Sequence, residues 1–518
     1  PPRSPAPETW RVREEKLADL RVPPTLTALL QARLDGLPPA EREVLQRAAV
    51  VGRVFWDDAV AALLADEQAT AGRRRPAAAA PRSAAVQPLL AALVRRELVV
   101  TRDRPAFAGS QEYTFKHNLL RQVTYETVLL RDRKRHHARV ARWLEVNAGA
   151  RLAEYLGLIA EHYSLAGSDA RAAAYLERAG DAAQRSGAYR SARDAFERAL
   201  SLRPGDDSEA ISSLRLKLGA VCWNLGDFPA AERALFFARD NARRAGNSRA
   251  QAAALYWLSR VAISRGDYAN ARMLLAYALP LARAADPETL AQVLYGVADV
   301  AWKLGDLETL QTYVTESLAL ARAVGNTTLE LMALNRLGTM AYLRGDLETA
   351  RDYYQTCLDL ARQSGNLERE ATALMNLGAL AHRGGDPGGG LAHYRAALAH
   401  YRELGRSEQV VMALGNLAEA AVDRGDLETA GDDLREGLAL AWRLGLLPRV
   451  TVMLFVYGRL LAARGDRAGA AAVLRLVLHH PATESQTRPQ IAALLAEWGE
   501  AVDGPAAELE GVIGEILG

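Results

Sequence analysis

Any chemistry in this chain has to come from a few polar and aromatic residues set among long runs of Ala and Leu. His117, in Phe115-Lys116-His117-Asn118-Leu119-Leu120, stands where a strand-like stretch gives way to a helix-like one. An imidazole at such a junction can donate to an anion, reinforced by the helix N-terminus, or it can simply cap the helix. Arg131, Arg135, Arg139 and Arg142, with Lys134, place several cations on one helical face. That row is either a solvated face or a surface that docks another domain or holds nucleic-acid phosphates. Further along, aromatics alternate with Arg, Asn and acidic residues: Tyr256, Trp257 and Arg260; Tyr295, Asp299 and Trp302; Asn335, Arg336 and Tyr342; Asn376 and His382; Asn416 and Glu419. Such a set can stack on rings or apolar side chains and hydrogen-bond a peptide backbone; the alternative is an ordinary solvated face.

Other chemistries are excluded by what is missing. A phosphate-binding loop needs Lys directly after Gly, and Lys16, Lys116, Lys134, Lys217 and Lys303 are all preceded by other residues. No HExxH or GxSxG occurs, and the pairs His136-His137 and His479-His480 are adjacent residues that point apart on a helix. We therefore expect no enzyme in this chain, no metal and no cofactor of its own. The two cysteines, Cys222 and Cys357, fall at helix-packing positions and suit burial in a reducing cytoplasm. No apolar run reaches membrane-spanning length and no secretory signal opens the chain, so a cytoplasmic protein without a membrane partner is expected. Residues 1–150 hold 25 Lys plus Arg against 17 Asp plus Glu, whereas the remainder holds 39 against 45, so only the front end invites polyanion contacts.

The elements that position these residues follow from a repeat. Gly-Asp stands at Gly226, Gly266, Gly305, Gly345, Gly385, Gly425 and Gly465, at intervals of 40, 39, 40, 40, 40 and 40 residues. A second mark falls midway, at Gly246-Asn247, Ala285-Asp286, Gly325-Asn326, Gly365-Asn366, Gly405-Arg406 and Gly445-Leu446. Two turns per period leave two helices per unit: helix A before each Gly-Asp and helix B after it. Gly suits the left-handed residue that ends a helix, and Asp or Asn caps the next one. Seven residues before each Gly-Asp the residue is small: Gly219, Ser259, Ala298, Gly338, Gly378, Ala418 and Gly458. Small residues there let the paired helices approach closely, with Leu or Tyr filling the gap. The candidate binding residues lie nine or ten, six and three residues before successive glycines, on one face of helix A.

This pattern resembles the tetratricopeptide repeat, although the common unit has about 34 residues and most of these have about 40. The extra residues lengthen either the helices or the second turn. An earlier unit, 170–204, fits the shorter repeat, giving about eight units. Asn376 and Asn416 resemble the asparagines with which such grooves hold bound peptides.

In chain order, residues 1–21 form a Pro-rich lead-in. Helices are expected from about Val22 to Leu34, from Pro38 to Ala49 and from Asp57 to Leu64. Residues 66–88 read as a flexible insertion. Gln87–Arg96 is helical, and Leu98-Val99-Val100 with Tyr113-Thr114-Phe115 forms a short hairpin. Three helices and a two-stranded wing make a winged helix over residues 22–116. Its third helix is mostly apolar before its final arginines, which disfavours direct reading of nucleic-acid bases. A helical arm follows over 117–169, then the repeats over 170–481, then capping helices over 482–518.

The run Pro-Pro-Thr-Leu-x-x-Leu-Leu-x-x-Arg-Leu-Asp-x-Leu-Pro from Pro23, then Ala-Ala-Val-Val-Gly-Arg-Val-Phe, then Tyr-Thr-Phe-Lys-His-Asn-Leu-Leu-Arg, resembles the region after the nucleotide-binding core of signal-transduction ATPases with numerous domains. That class includes regulators of the maltose-regulon-activator type and ATPase-containing cyclases. The resemblance implies an all-α tetratricopeptide repeat superhelix, an α-solenoid, preceded by a small winged-helix domain. It also implies an upstream nucleotide-binding domain that takes ATP or ADP, and a protein, peptide or small-molecule ligand in the repeat groove. His117 stands where related ATPases carry a histidine that senses the ADP β-phosphate, with Lys116 and Asn118 replacing its usual neighbours. The chain opens on Pro1, as a piece of a longer protein would. Two further readings stay open: a scaffold without nucleotide control, and a DNA-binding winged-helix regulator.

Overall fold

The computed structural model describes residues 24–70, 82–103, 105–107, 109–203, 208–483 and 487–517. The lead-in and the middle of the Arg/Ala/Pro-rich insertion lie outside them. The chain divides into two compact units, 1–245 and 246–518.

The first unit begins with helices Pro24–Asp35, Pro39–Val51 and Asp57–Thr70, and Gln87–Arg95 follows the insertion. Where a two-stranded hairpin was expected, three strands form an antiparallel sheet in the order β1-β3-β2: β1 Val54–Trp56, β2 Val99–Thr101 and β3 Glu112–Phe115. Val54 lies opposite Thr114 and Val99 opposite Phe115. β1 has only three residues, too few for an alternating pattern to announce it. Gly52 makes the break before it, at φ 153°, and a Cβ there would lie 3.1 Å from the Val54 carbonyl oxygen. The insertion is also more ordered at its ends than its composition suggests. The helix begun at Asp57 continues to Thr70, and Ser83 and Val86 are buried ahead of Gln87–Arg95.

Aromatic residues tie this sheet to the helices beyond it. Phe55 packs on Tyr113 and Phe115, while Trp56 stacks on Trp143, with Phe107 and Tyr155 against its edges. Trp143 and Tyr155 come from helices Leu130–Asn147 and Leu152–Leu165, which with Asn118–Glu126 form the arm. Two repeat hairpins complete the unit: Asp169–Arg185 with Tyr189–Ser201, and Ser208–Asn224 with Phe228–Arg244.

The second unit is built from repeated hairpins. Its A helices are Ser248–Ser264, Pro287–Leu304, Thr327–Arg344, Leu367–Arg383, Ser407–Arg424 and Leu447–Ala463. Its B helices are Tyr268–Arg283, Leu307–Ala323, Leu347–Gln363, Pro387–Glu403, Leu427–Arg443 and Arg467–His479. Most have 17 or 18 residues, so the longer period goes into the helices and not into the turns. Most of the punctuation residues do their expected work. Gly345 takes the left-handed conformation at φ 81°, and the Asp346 carboxylate accepts a hydrogen bond from the Thr349 amide at 3.1 Å. Asp267, Asp286, Asp306, Asn326, Asn366, Asp386, Asp426 and Asp466 cap their helices in the same way, whereas Arg406 and Leu446 do not.

The small residues of helix A face a large one 16 positions later on helix B. A Cβ on Gly338 or Gly378 would lie 2.6 Å from the ring of Tyr354 or Tyr394, and one on Gly458 would lie 2.8 Å from Leu474. The same trade recurs in the first unit between Gly180 and Phe196 and between Gly219 and Leu235. Loss of the side chain on one helix therefore makes the socket that the other fills.

Successive A helices of the second unit also touch one another directly, while successive B helices make only weak contact or none. Helices that pack closely on one side and spread on the other put the A face on the inner wall. At the C-terminal end, Thr487–Glu497 packs on Arg467–His479 and Leu509–Leu517 packs on Leu427–Arg443. Buried Arg475 fixes the connection, donating to the Ala501 and Pro505 carbonyls and to Glu500. Among the described residues no helix is long and apolar enough to cross a membrane.

Candidate functional site

Helices Ser248–Ser264 to Leu447–Ala463 present the predicted residues as rungs that reach from one repeat to the next. Asp299 is 5% exposed and receives two arginines, one from each neighbouring repeat. Arg260 Nη1 lies 3.0 Å from its Oδ2 and Arg336 Nη2 lies 2.5 Å from its Oδ1. The Arg336 guanidinium also sits 5.0 Å above the centre of the Trp302 ring, the side of an aromatic system that attracts cations. The next rung is an amide pair, with Asn376 Nδ2 donating to Asn335 Oδ1 at 2.5 Å. Beside it Arg383 lies over the Tyr342 ring and donates to the Tyr342 carbonyl.

The last rungs are acidic. His382 Nε2 is 2.7 Å from Asp423 Oδ2. Arg459 joins both carboxylates of the neighbouring repeat, at 2.8 Å to Glu419 and 2.5 Å to Asp423. Asn416 is half-buried on the same face. Each rung spans about one period because a residue at a fixed position on helix A has its counterpart on the next A helix one repeat later.

Two of the predicted residues are not on this face. Tyr256 and Tyr295 are 6% and 5% exposed and belong to the core. Gly296 explains the first: a Cβ there would lie 3.1 Å from the Tyr256 ring, so the ring of one repeat fills the place of the side chain missing from the next. Burial pushes the Tyr256 phenol up from its ordinary pKa. Trp257, half-buried, packs edge-on against that ring at 5.5 Å between centroids.

His117 occupies the N-cap position of Asn118–Glu126, yet its side chain makes no capping hydrogen bond and is exposed. Along Leu130–Asn147 the exposed cations are Arg131, Lys134, Arg135 and Arg142, while Arg139 is half-buried. Arg131 and Arg135 both pair with Asp132. On Gln87–Arg95 the exposed residues are Gln87, Pro88, Ala91 and Arg95, which offers little to read base edges. Arg96, just beyond, is held by Glu41 at 2.8 Å.

The first unit also contains polar centres that sequence reading passed over. Asp57 is fully buried and accepts from Ser110 Oγ, the Gln111 and Asp58 amides and Gln87 Nε2. Buried Glu112 accepts from Trp56 Nε1, the Ala106 amide and Arg102. His137 and His162 face each other at 2.8 Å between Nδ1 atoms, with the Tyr125 hydroxyl on the far side of His137. Burial, with the neighbouring imidazole and Arg121, pushes His137 down to about 3. Burial and Arg121 push His162 down to about 4. The thiols of Cys222 and Cys357 are raised by burial, to about 11 and about 12, which suits packing and not reactivity.

A family model described as tetratricopeptide repeat matches residues 289–363, so the fold is an all-α solenoid of tetratricopeptide-type hairpins. A search of curated proteins finds no match by sequence. Among solved structures, the chain is similar to a Signal Transduction ATPase with Numerous Domains protein with a tetratricopeptide repeat sensor from Pyrococcus horikoshii, at 14% identity and a TM-score of 0.41. That match covers 95% of this chain and 61% of that one, so the chain spans about three fifths of the ATPase's length. It is also similar to the Rap conjugation gene regulator of the plasmid pLS20 in complex with a Phr peptide, at 17% identity, 62% and 93% coverage and a TM-score of 0.46. A third likeness is to the apo form of the quorum sensor NprR from B. thuringiensis, at 16% identity, 62% and 90% coverage and a TM-score of 0.46.

Proposed function

We propose that the A face of residues 248–463 is a binding groove for an extended peptide or protein segment, and that the chain is a non-enzymatic sensor module. The observation that carries this reading is the ladder itself. Trp257, Trp302 and Tyr342 are half-buried, Arg336 and the Asn335–Asn376 pair stand beside them, and the Asp423–Arg459–Glu419 cluster follows on the next A helices of the same repeat array. Rings held edge to edge with oriented amides and charges are the parts from which extended peptides are recognised, by stacking and by backbone hydrogen bonds. Because the rungs are already paired across repeats, the wall is preorganised and loses little freedom when a ligand settles on it.

In the larger reading the first unit links this groove to a nucleotide-binding domain. Its support is the winged-helix-like arrangement of Pro24–Phe115 and the exposed imidazole of His117 at a helix start. Groove occupancy would act by biasing a bistable domain contact. In a protein that carries such a domain, His117→Ala would lower ADP retention.

The groove is tested by selecting random displayed peptides on the full chain and measuring their affinities by fluorescence anisotropy. Trp302→Ala should weaken binding at least tenfold, and Tyr277→Ala, on an exposed part of a B helix, should leave it unchanged. Peptides that bind equally well to Trp302→Ala would overturn the assignment.

A further inference from the structure

The rungs of the groove are not equally charged. At one end Asp299 is shared by Arg260 and Arg336, so two guanidiniums meet one carboxylate. Exposed Lys303, from the same helix as Asp299, and Arg383, over Tyr342, extend this excess of positive charge. At the other end the ratio is inverted: Glu419 and Asp423 share the single guanidinium of Arg459, with the His382 imidazole on Asp423. Between the two clusters stands the neutral Asn335–Asn376 amide pair. The charges within each cluster are partly buried, so solvent screens them less than it would isolated surface ions.

Asp299 and Glu419 lie on A helices three repeats apart, Pro287–Leu304 and Ser407–Arg424. Consecutive A helices are in contact, which sets a step of ~8–10 Å, so the two charge centres are about 24–30 Å apart. An extended chain advances ~3.3 Å per residue.

On the reading of this face as a peptide groove, we propose that its occupant is an extended segment with charge-separated ends, about seven to nine residues apart. The acidic end, a carboxylate of Asp, Glu or a C-terminus, seats at Arg260 and Arg336. The basic end, Lys, Arg or an amino terminus, seats at Glu419 and Asp423. The central residues lie along the asparagine pair, where amide groups suit a peptide backbone whatever its side chains. Charge complementarity of this kind fixes register and rejects segments of uniform charge, which meet repulsion at one end or the other.

The test selects random twelve-residue displayed peptides on the full chain at low salt, with parallel selections on Arg336→Gln and on Glu419→Gln/Asp423→Asn. Thermal melts check that each variant is folded. The expected result is enrichment of peptides with acidic residues towards one end and basic residues towards the other. Arg336→Gln should relax only the acidic preference, and Glu419→Gln/Asp423→Asn only the basic one. Each should cost a selected peptide at least tenfold in affinity, less at high salt. Because the two variants probe opposite ends, a folding defect in one leaves the other informative. Enriched peptides without charge separation that still lose affinity to Trp302→Ala would overturn the charge sorting and leave the groove standing. Enrichment indifferent to Trp302 and to both ends would overturn the groove as well.

Discussion

In the first unit, Asp57 is buried among four donors that come from the start of its own helix, the helix after the insertion and the approach to β3. In the second unit, Asp346 accepts from an amide three residues away, and the arrangement recurs with little change from Asp267 to Asp466. Both are aspartates at helix starts. The difference lies in the range of the partners. Repeats satisfy polar groups locally or one period away, so a rule serves every unit, whereas the first unit uses arrangements that occur once. A solenoid therefore tolerates change at one rung, while a one-off centre fails as a whole.

The comparison is sharpest where packing is densest. Tyr394→Ala would empty the socket opposite Gly378 and should cost ~3–5 kcal/mol, read from urea denaturation. Gly378→Ala overfills the same socket and should cost ~1–3 kcal/mol. Tyr394→Leu should relieve part of that cost if the two positions form one unit, and simple additivity would break the small-for-large account.

The next effect belongs to the first unit. His137 and His162 are held neutral in the fold, down to about 3 and about 4, because burial disfavours their charged forms. An unfolded histidine takes up its proton near ~6.5, so stability is complete above that pH and is lost as pH falls towards the folded values. The loss should approach on the order of 1 kcal/mol per pH unit for each group. Urea midpoints of the first-unit transition at about pH 7.5 and 5 should differ, and His137→Gln/His162→Gln should flatten that difference. An unchanged pH slope in the double variant would show that other groups carry it.

A single cap should matter less. Asp346→Ala is expected to cost ~1 kcal/mol, with the effect confined to its own hairpin in hydrogen exchange. The smallest change concerns Asp433, whose carboxyl burial pushes up to about 6. A carboxyl raised in the fold disfavours folding at neutral pH and ceases to do so as pH falls through about 6 towards its ordinary range. Asp433→Asn should therefore raise the Tm slightly at pH 7 and leave it unchanged near pH 4.

The same contrast explains what could be read in advance. The repeat frame, the caps and the small residues of helix A were legible because each is a short-range demand repeated at a fixed period. The face carrying Arg260, Asp299, Trp302, Arg336, Asn376 and His382 followed from that frame. Tyr256 departed from it because Gly296 opens a hole in the neighbouring helix, which a periodic rule for one helix does not include, and Tyr295 is buried in the core as well. β1 was too short to show alternation. His136 and His137 looked like two unrelated residues because the partner of His137 lies on Leu152–Leu165, 25 residues away. Glu112 and Asp57 were hidden for the same reason.

The claim on which the functional account rests is that a guest lies along the A helices of the second unit. Photo-cross-linking with a selected peptide carrying benzophenone at either end, mapped by mass spectrometry, tests it most directly. The account predicts that the acidic end labels residues around Trp302 and the basic end labels residues around Asp423. Labels on B helices, or on residues before 246, would contradict it.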